Sequence, residues 1–491
     1  MDYYGHGTHV VGILAGKSDH FVGVAPEATV LVYKVTTEYG SSDEDTLIQA
    51  FLMAHEDGAD IITASIGGLS GWSTNAWAVI ASRLVDNGVV VTIAAGNDGV
   101  NGPFFGSNGA LGPHVLAVAS TDAGEIPADP FEMTFSLNGV DNTSNYGYLP
   151  AEEPMTVKGL PITPMVLHAP DNEDACQPFT FKGRAPDLSK SIPLIRTGNC
   201  YNWEKQNNLR DLGAEYILFY NPDGPFNRIS SYVTTPLVNI IEAAAADAII
   251  STVKAGGKVT VDFSKQLEYK LGVYNSVGGL PSPSTSWGGT FDGNVKPDIA
   301  APGGNIYSTF LDGTYMVLGG TSMATPYIAG VAALWVGKFG GRKQHGPEWA
   351  RQLSNRIISS GAALRWHTET IESQNPIDKG LWAPVHQVGA GQVDAWKVLD
   401  YATSLEFDNM ALNDTHTFSR YHKVQIRNNG KETATYKFAL QPAAALNIKS
   451  FWREGYLTDL TEPLDPYTFV PEVSFPSGTF KVAPGQVKTA Q

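Results

Sequence analysis

Cysteine is nearly absent: the 491-residue chain has two. Neither has a histidine or further cysteine nearby at ligand spacing, which excludes a metal site built on them. No uninterrupted apolar stretch reaches about 18 residues, so no membrane-spanning helix is expected. Positive charge is also scarce. The 33 Lys and Arg face 49 Asp and Glu, for a net charge of −16. With no basic cluster to offset this, nucleic acid and anionic membrane are excluded as partners. The opening Met1-Asp2-Tyr3-Tyr4-Gly5 has no basic region and no apolar core, so it does not read as a signal peptide. Internal repeats and low-complexity tracts are lacking as well.

What remains is a loop-rich globular composition. It has 43% hydrophobic and 17% charged residues, with 51 Gly and 30 Pro, enough apolar material for a sizeable core. At roughly 150 residues per domain the length suggests about three domains. Over residues 1–135 apolar runs of strand length, Thr29–Val35, Asp60–Ser65, Val89–Ala95 and Val115–Ser120, alternate with the helix-periodic Asp45–His55 and Ala76–Asn87. Such alternation predicts an α/β fold, a parallel sheet covered by helices on both faces. Around 140–165 the texture becomes Pro- and turn-rich. A second unit follows over 165–265, with strands at Ile192–Ile195 and Tyr216–Tyr220 and helices at Trp203–Leu212 and Glu242–Ala255. The first texture resumes near 271, with helices at Thr321–Gly337 and Pro347–Ser359. Beyond 403 it turns β-like, with alternation in His422–Arg427 and Thr433–Leu440 around Asn429-Gly430.

Three segments carry chemistry. In Gly5-His6-Gly7-Thr8-His9 a histidine stands at a helix start between glycines. In Ala95-Gly96-Asn97-Asp98-Gly99 an asparagine follows a strand and can aim its amide at a cleft. In Gly320-Thr321-Ser322-Met323-Ala324-Thr325-Pro326 a serine begins a helix, where its backbone N–H is free and the dipole favours developing negative charge. Singly, these are a helix-start residue, a turn and an N-cap. Together they supply a base, an oxyanion donor and a nucleophile, the set acyl transfer needs.

These motifs resemble those of the subtilisin-like serine proteases, the subtilases. Supporting segments are Val22–Pro26, Lys296–Gly303 and Gly389–Asp394. The resemblance covers about 1–135 and 271–403. It implies a serine endopeptidase in which His6 takes the Ser322 proton, Ser322 forms an acyl-enzyme, and Asn97 with the Ser322 N–H holds the oxyanion. It implies that Ser65, Ile66, Gly67 and Gly68 form a substrate-pairing edge, with Gly40, after Tyr39, on the opposing rim. Ile66, Ala94, Ala95 and Gly96 would line an apolar pocket. Met323 beside the nucleophile would be oxidation-sensitive. No metal is expected, because only Asp19 stands where a calcium loop could be, and no cofactor.

One member of the triad is missing. In the family an Asp ends an apolar strand several tens of residues before the His, whereas five residues precede His6 here. Asp2 belongs to the local histidine motif. The expectation is a chain that begins inside a longer secreted protein bearing a signal, a propeptide and that strand; the rival is a degenerate homologue. Val482–Gln491 reads as entry to a strand, as though cut. Residues 165–265 resemble a protease-associated domain, and 404–491 a fibronectin-type-III-like β-sandwich. The expected division is 1–150 and 271–403 for the catalytic domain, 151–270 for the insert, and 404–491 for the sandwich. Cys176 and Cys200, 24 residues apart in the insert, are expected to form a disulfide, with a reduced pair as the alternative. Asn142 and Asn413 fit the glycosylation pattern. The implied partner is extended polypeptide bound to a secreted monomer. The other function class is an inactive binding protein on a protease scaffold.

Overall fold

The computed structural model describes residues 2–19, 21–37, 39–151, 154–181, 185–229, 236–265, 269–368, 377–410, 412–413, 415–446, 452–453, 456–457, 466–468 and 470–491. The chain divides into two compact units. The first comprises 1–123, 279–368 and 378–491, and the second 124–278 with 369–377.

The first unit is built on four parallel strands, β1 (Ile61–Ala64), β2 (Val90–Ala94), β3 (Leu116–Asp122) and β4 (Ile299–Gly304), side by side in that order. Register is set by Ile61 opposite Val90, Thr92 opposite Leu116 and Ile299 opposite Val118. Val90, Val91 and Ile93 have no exposed surface, so both faces of the central strand are covered. This explains the continuous apolar runs: a strand buried on both faces cannot alternate with polar residues. Five helices frame the sheet, α1 (His6–Ala15), α2 (Glu44–Glu56), α3 (Ala76–Asp86), α4 (Thr321–Phe339) and α5 (Trp349–Ser359). α4 touches all four strands and α1 packs on α4, while α3 and α5 meet β2 and each other. Trp77 of α3 is fully buried, with Phe51 of α2 edge-on to it at 5.5 Å.

One expected strand is missing. Thr29–Val35 forms no ladder, and Val30, Leu31 and Val32 are 36%, 50% and 71% exposed. Only Tyr33 and Val35 pack against the core. A strand needs a ladder partner for its N–H and C=O groups. Among the described residues none lies beside this segment, and β1, whose ladder runs to β2 alone, is the open edge of the sheet.

The second unit begins at Gly124 rather than 151. The segments Glu125–Leu137 and Val140–Pro150 pair along their length and belong to its eight-stranded mixed sheet, together with Ile192–Arg196, Tyr216–Tyr220 and Leu237–Ile241 in parallel. The long hairpin escaped sequence reading because its Asn-Gly turn at Asn138-Gly139 lies inside what looked like the end of the catalytic texture. Cys176 and Cys200 are joined, with Cα atoms 5.8 Å apart. Beyond 403, Thr403–Glu406, Val424–Asn428 and Val487–Ala490 form a three-stranded antiparallel sheet over Ile426, Phe480, Val482 and Ala490. Ala434–Tyr436 pairs separately with Phe480–Val482.

Truncating Trp77, one of the fully buried tryptophans of the first unit, tests the packing. Trp77→Ala is expected to cost about 3–5 kcal/mol, read as a lower midpoint in urea unfolding. A loss under about 1 kcal/mol would show that α3 does not seal the sheet.

Candidate active site

The sequence motifs converge at the carboxyl ends of the parallel strands. His6, Ser65, Ile66, Gly67, Gly68, Ala94, Gly96, Asn97 and Ser322 line one cavity of ≈ 1000 Å³ with Gly40 and the Ala28–Thr36 segment. Ala95, expected in the lining, is not part of it and is buried, 5% exposed. Each motif is held there by a local device.

α1 begins at Gly5, whose φ of 85° suits glycine; a Cβ there would lie 2.3 Å from the Phe310 ring. Asp2 caps the helix start. Its Oδ1 accepts from the Tyr4 and Gly5 N–H groups, and its Oδ2 from the Thr8 N–H and hydroxyl. Burial acts to raise the Asp2 pKa, but these hydrogen bonds outweigh it and hold the carboxyl at about 2. Asp2 is thus committed to backbone and Thr8, as the sequence suggested. His9, fully buried, anchors α1 through Nε2 to the Met316 carbonyl at 3.0 Å. His6 is half-buried. Desolvation pulls its pKa below the usual imidazole value, and the Asp2 charge opposes that in part. Among the described residues no carboxylate is hydrogen-bonded to His6.

The Asn97 amide is oriented by Thr321. Asn97 Oδ1 accepts from the Thr321 N–H at 2.9 Å and the Thr321 hydroxyl at 3.1 Å, and the hydroxyl in turn accepts from the Gly96 N–H at 3.2 Å. With Oδ1 engaged, Nδ2 is the end left to donate. Gly320, with φ of 143°, lets the chain pass this amide; a Cβ there would stand 3.0–3.1 Å from its O and N atoms.

Ser322 is braced by a reciprocal pair with Ser65. Ser65 Oγ donates to the Ser322 carbonyl at 2.7 Å, and Ser322 Oγ donates to the Ser65 carbonyl at 3.3 Å. Pro326 supplies the reason. Lacking an N–H, it leaves the carbonyl four residues earlier without its helical donor. That carbonyl belongs to Ser322, and Ser65 Oγ satisfies it. The nucleophile's hydroxyl therefore points at Ser65, and no hydrogen bond joins it to His6 in this structure. Met323 next to it is 2% exposed, which shields the thioether expected to be oxidation-sensitive.

Along the expected substrate edge the residues differ. Gly68 is engaged on both sides by Asn108, through its N–H at 3.0 Å and its carbonyl at 2.8 Å. Gly67 is exposed and carries no hydrogen bond among those described. Gly40 takes φ of 79° against the Tyr4 ring, and Tyr39 is 83% exposed.

The model of the subtilase family matches residues 1–374. The chain belongs to the subtilase family. Among the curated relatives of this subtilase, the minor extracellular protease Vpr of Bacillus subtilis is 27% identical over 86% of the chain and 50% of the relative. The PII-type proteinase of Lacticaseibacillus paracasei is 28% identical over 80% and 22%. The C5a peptidase of Streptococcus pyogenes is 27% identical over 80% and 33%. The chain thus spans half or less of the length of these relatives. Among solved structures, the psychrophilic subtilisin-like protease Apa1 of Pseudoalteromonas sp. AS-11 aligns over 82% of this chain and 84% of its own at 19% identity. Its TM-score is 0.47, a global likeness too loose to carry an argument.

Two residues of the subtilase site were missed from sequence in their roles: Thr321 as the orienter of Asn97, and the Ser65 side chain as the partner of Ser322. The signal for the second was Pro326, four positions after Ser322. Ser65→Ala would leave the Ser322 carbonyl unmet and is expected to cost about 1–3 kcal/mol in denaturant unfolding. Pro326→Ala, by restoring the helical donor, should recover part of that loss in the double variant. Strict additivity of the two substitutions would sink the linkage.

Proposed function

We propose that this chain carries the catalytic centre of a serine endopeptidase that cleaves extended polypeptide. Ser322 Oγ attacks the peptide carbonyl and passes its proton to His6. The oxyanion is held by Asn97 Nδ2 and the Ser322 N–H, and His6 then protonates the leaving amine. The observation that carries this reading is the Thr321 lock on Asn97 Oδ1, which leaves the amide donor free beside the start of α4. His6, with its pKa drawn down by burial, is neutral at pH 7 and able to accept a proton. Ser322 Oγ must rotate from the Ser65 carbonyl to reach it.

The substrate strand adds at Gly67, between the Ser65–Gly68 edge and the rim at Gly40. Ile66, Ala94 and Gly96 favour apolar side chains. Residues 124–278 act as a protease-associated module that positions substrate, and 404–491 as a fibronectin-type-III-like sandwich. Secretion fits the disulfide and the extracellular relative Vpr. Asn142 and Asn413, both exposed, then become glycan acceptors; Asp414 of the second triplet lies outside the described residues. The protein acts as a monomer. A second reading rests on one observation: without a hydrogen-bonded carboxylate at His6, turnover falls by a factor on the order of 10⁴, a range drawn partly from subtilisin itself. The chain would then serve as an inactive binding scaffold.

Reaction with an active-site serine phosphonate, read by intact mass, separates the two readings. The peptidase reading expects one adduct, absent in Ser322→Ala. No adduct on a folded chain would favour the scaffold. In a chain that turns over peptide, kcat/KM should fall on acidification with an apparent pKa below 6.5, as His6 becomes protonated. Asn97→Ala should lower kcat by about 10²–10³, the general effect of losing one oxyanion donor, itself established on a subtilisin. An acid limb above 6.5, or an unchanged kcat in Asn97→Ala, would contradict the assigned roles.

A further inference from the structure

The second unit holds a buried cation that the peptidase reading does not use. Lys205, on the helix Asn202–Arg210, has no exposed surface. Its Nζ donates to the carbonyls of Gly198 at 2.6 Å, Asp174 at 2.8 Å and Arg196 at 3.4 Å, and to Cys176 Sγ at 3.6 Å. Among the described residues no carboxylate pairs with it. The nearest, Asp174, spends its two oxygens on the Cys176 N–H at 3.2 Å and Asn199 Nδ2 at 2.7 Å. Arg196, also close, is taken by Glu173 at 2.8 Å and Asp223 at 2.7 Å. A buried ammonium without a counter-ion is costly, and the atom in its shell best able to become an anion is Cys176 Sγ. Cys176 and Cys200 are both half-buried, within reach of a small thiol.

We propose that Cys176–Cys200 is a reversible thiol–disulfide site in which Lys205 makes Cys176 the leaving and attacking thiolate. The thiolate of an external dithiol attacks Cys200 Sγ. The S–S bond breaks, and its electron pair passes to Cys176 Sγ, which remains as a thiolate against the Lys205 ammonium. The second thiol of the reagent then attacks the mixed disulfide, releasing Cys200 as a thiol and the reagent as its cyclic disulfide. Two electrons move from the dithiol to the cysteine pair. Reoxidation reverses these steps: Cys200, deprotonated, opens a cyclic disulfide to form the mixed disulfide, and the Cys176 thiolate then attacks Cys200 Sγ and displaces the reagent as its dithiol.

Lys205 also supplies the reversibility. It ties the Asp174 and Gly198 carbonyls whether or not the sulfurs are joined, and these belong to the two segments that the disulfide links. Reduction therefore leaves the two cysteines facing each other. The charged groups around the ammonium are Asp174 and Glu204, which favour it, and Arg196, which opposes it; burial acts against its charge most strongly and draws its pKa to about 8. Near pH 7 it stays predominantly protonated.

The test uses the whole chain, reduced with dithiothreitol under native conditions, pulsed with iodoacetamide between pH 5.5 and 9.5, and mapped by peptide mass. Cys176 should alkylate with an apparent pKa at least one unit below the ordinary thiol value of about 8.5. At pH 6 it should react at least about threefold faster than Cys200, after allowing for the weaker nucleophilicity of a less basic thiolate. The near-UV spectrum should survive reduction, and oxidised dithiothreitol should restore one disulfide. Lys205→Met should move the Cys176 profile upward. Because that variant is at risk of misfolding, Cys176→Ser provides the second arm, with Cys200 titrating like an ordinary thiol. Equal labelling of both cysteines with a shared pKa near 8.5, or loss of the native spectrum on reduction, would overturn the proposal.

Discussion

The hydrogen bond from the Thr321 N–H to Asn97 Oδ1 joins residues 224 positions apart, and the geometry of the cleft depends on it. It ties the start of the longest buried helix to the end of the most buried strand. Through it the direction of the Asn97 amide becomes a property of the sheet rather than of a loop. The helix can begin there because Gly320 accepts a backbone conformation closed to other residues and leaves room for the amide. The bond lies at the carboxyl ends of parallel strands, where connecting loops converge and open α/β sheets place their ligand sites. Pro326 and Ser65 add a second tie on the same helix turn, converting an orphaned helical carbonyl into a link to the neighbouring edge.

The two halves of the cleft differ in how tightly they are specified. Around Ser322 and Asn97, hydrogen bonds fix the Ser322 carbonyl and hydroxyl and the Asn97 Oδ1, which leaves the Asn97 amide N–H as the donor facing the cleft. Around His6 the ring is half-buried beside a flank where Thr29–Val35 finds no ladder and β1 is an open edge. The capping carboxylate nearest in sequence, Asp2, is committed to the start of α1. The imidazole is therefore governed by desolvation, which favours its neutral form, rather than by an ion pair, which would favour the cation.

Two fully or nearly buried lysines show contrasting answers to one electrostatic problem. Lys296, 2% exposed, pairs with Asp298 at 2.7 Å and donates to the Val115 carbonyl at 2.6 Å. It is a neutralised joint in the first unit. Lys205 in the second unit is met by carbonyl dipoles and a sulfur instead. Dipoles reduce the cost of burying a charge without cancelling it, so the first lysine is structurally satisfied while the second keeps a field that a neighbouring atom can feel.

Much was legible in the sequence because the physics behind it is local. Continuous apolar runs marked β1, β2 and β3 to within a few residues, since strands buried on both faces admit few polar positions. Glycines around His6 and the Gly-Thr-Ser run marked helix starts, since free N–H groups and unusual backbone angles belong to those positions. Where ladder pairing was at stake, the sequence was silent. Thr29–Val35 has the composition of a strand and becomes none for want of a neighbour, and Glu125–Pro150 reads as the end of one unit but pairs into the other. The partners that orient the site, Thr321 for Asn97 and Ser65 for Ser322, are ordinary hydroxyl residues whose roles arise only when segments 224 and 257 positions apart meet. The residue types by themselves determined which chemistry the chain could carry; the tertiary structure decided which lone pair of an amide is occupied and which lysine lacks a counter-ion, because both depend on distances that no local pattern encodes.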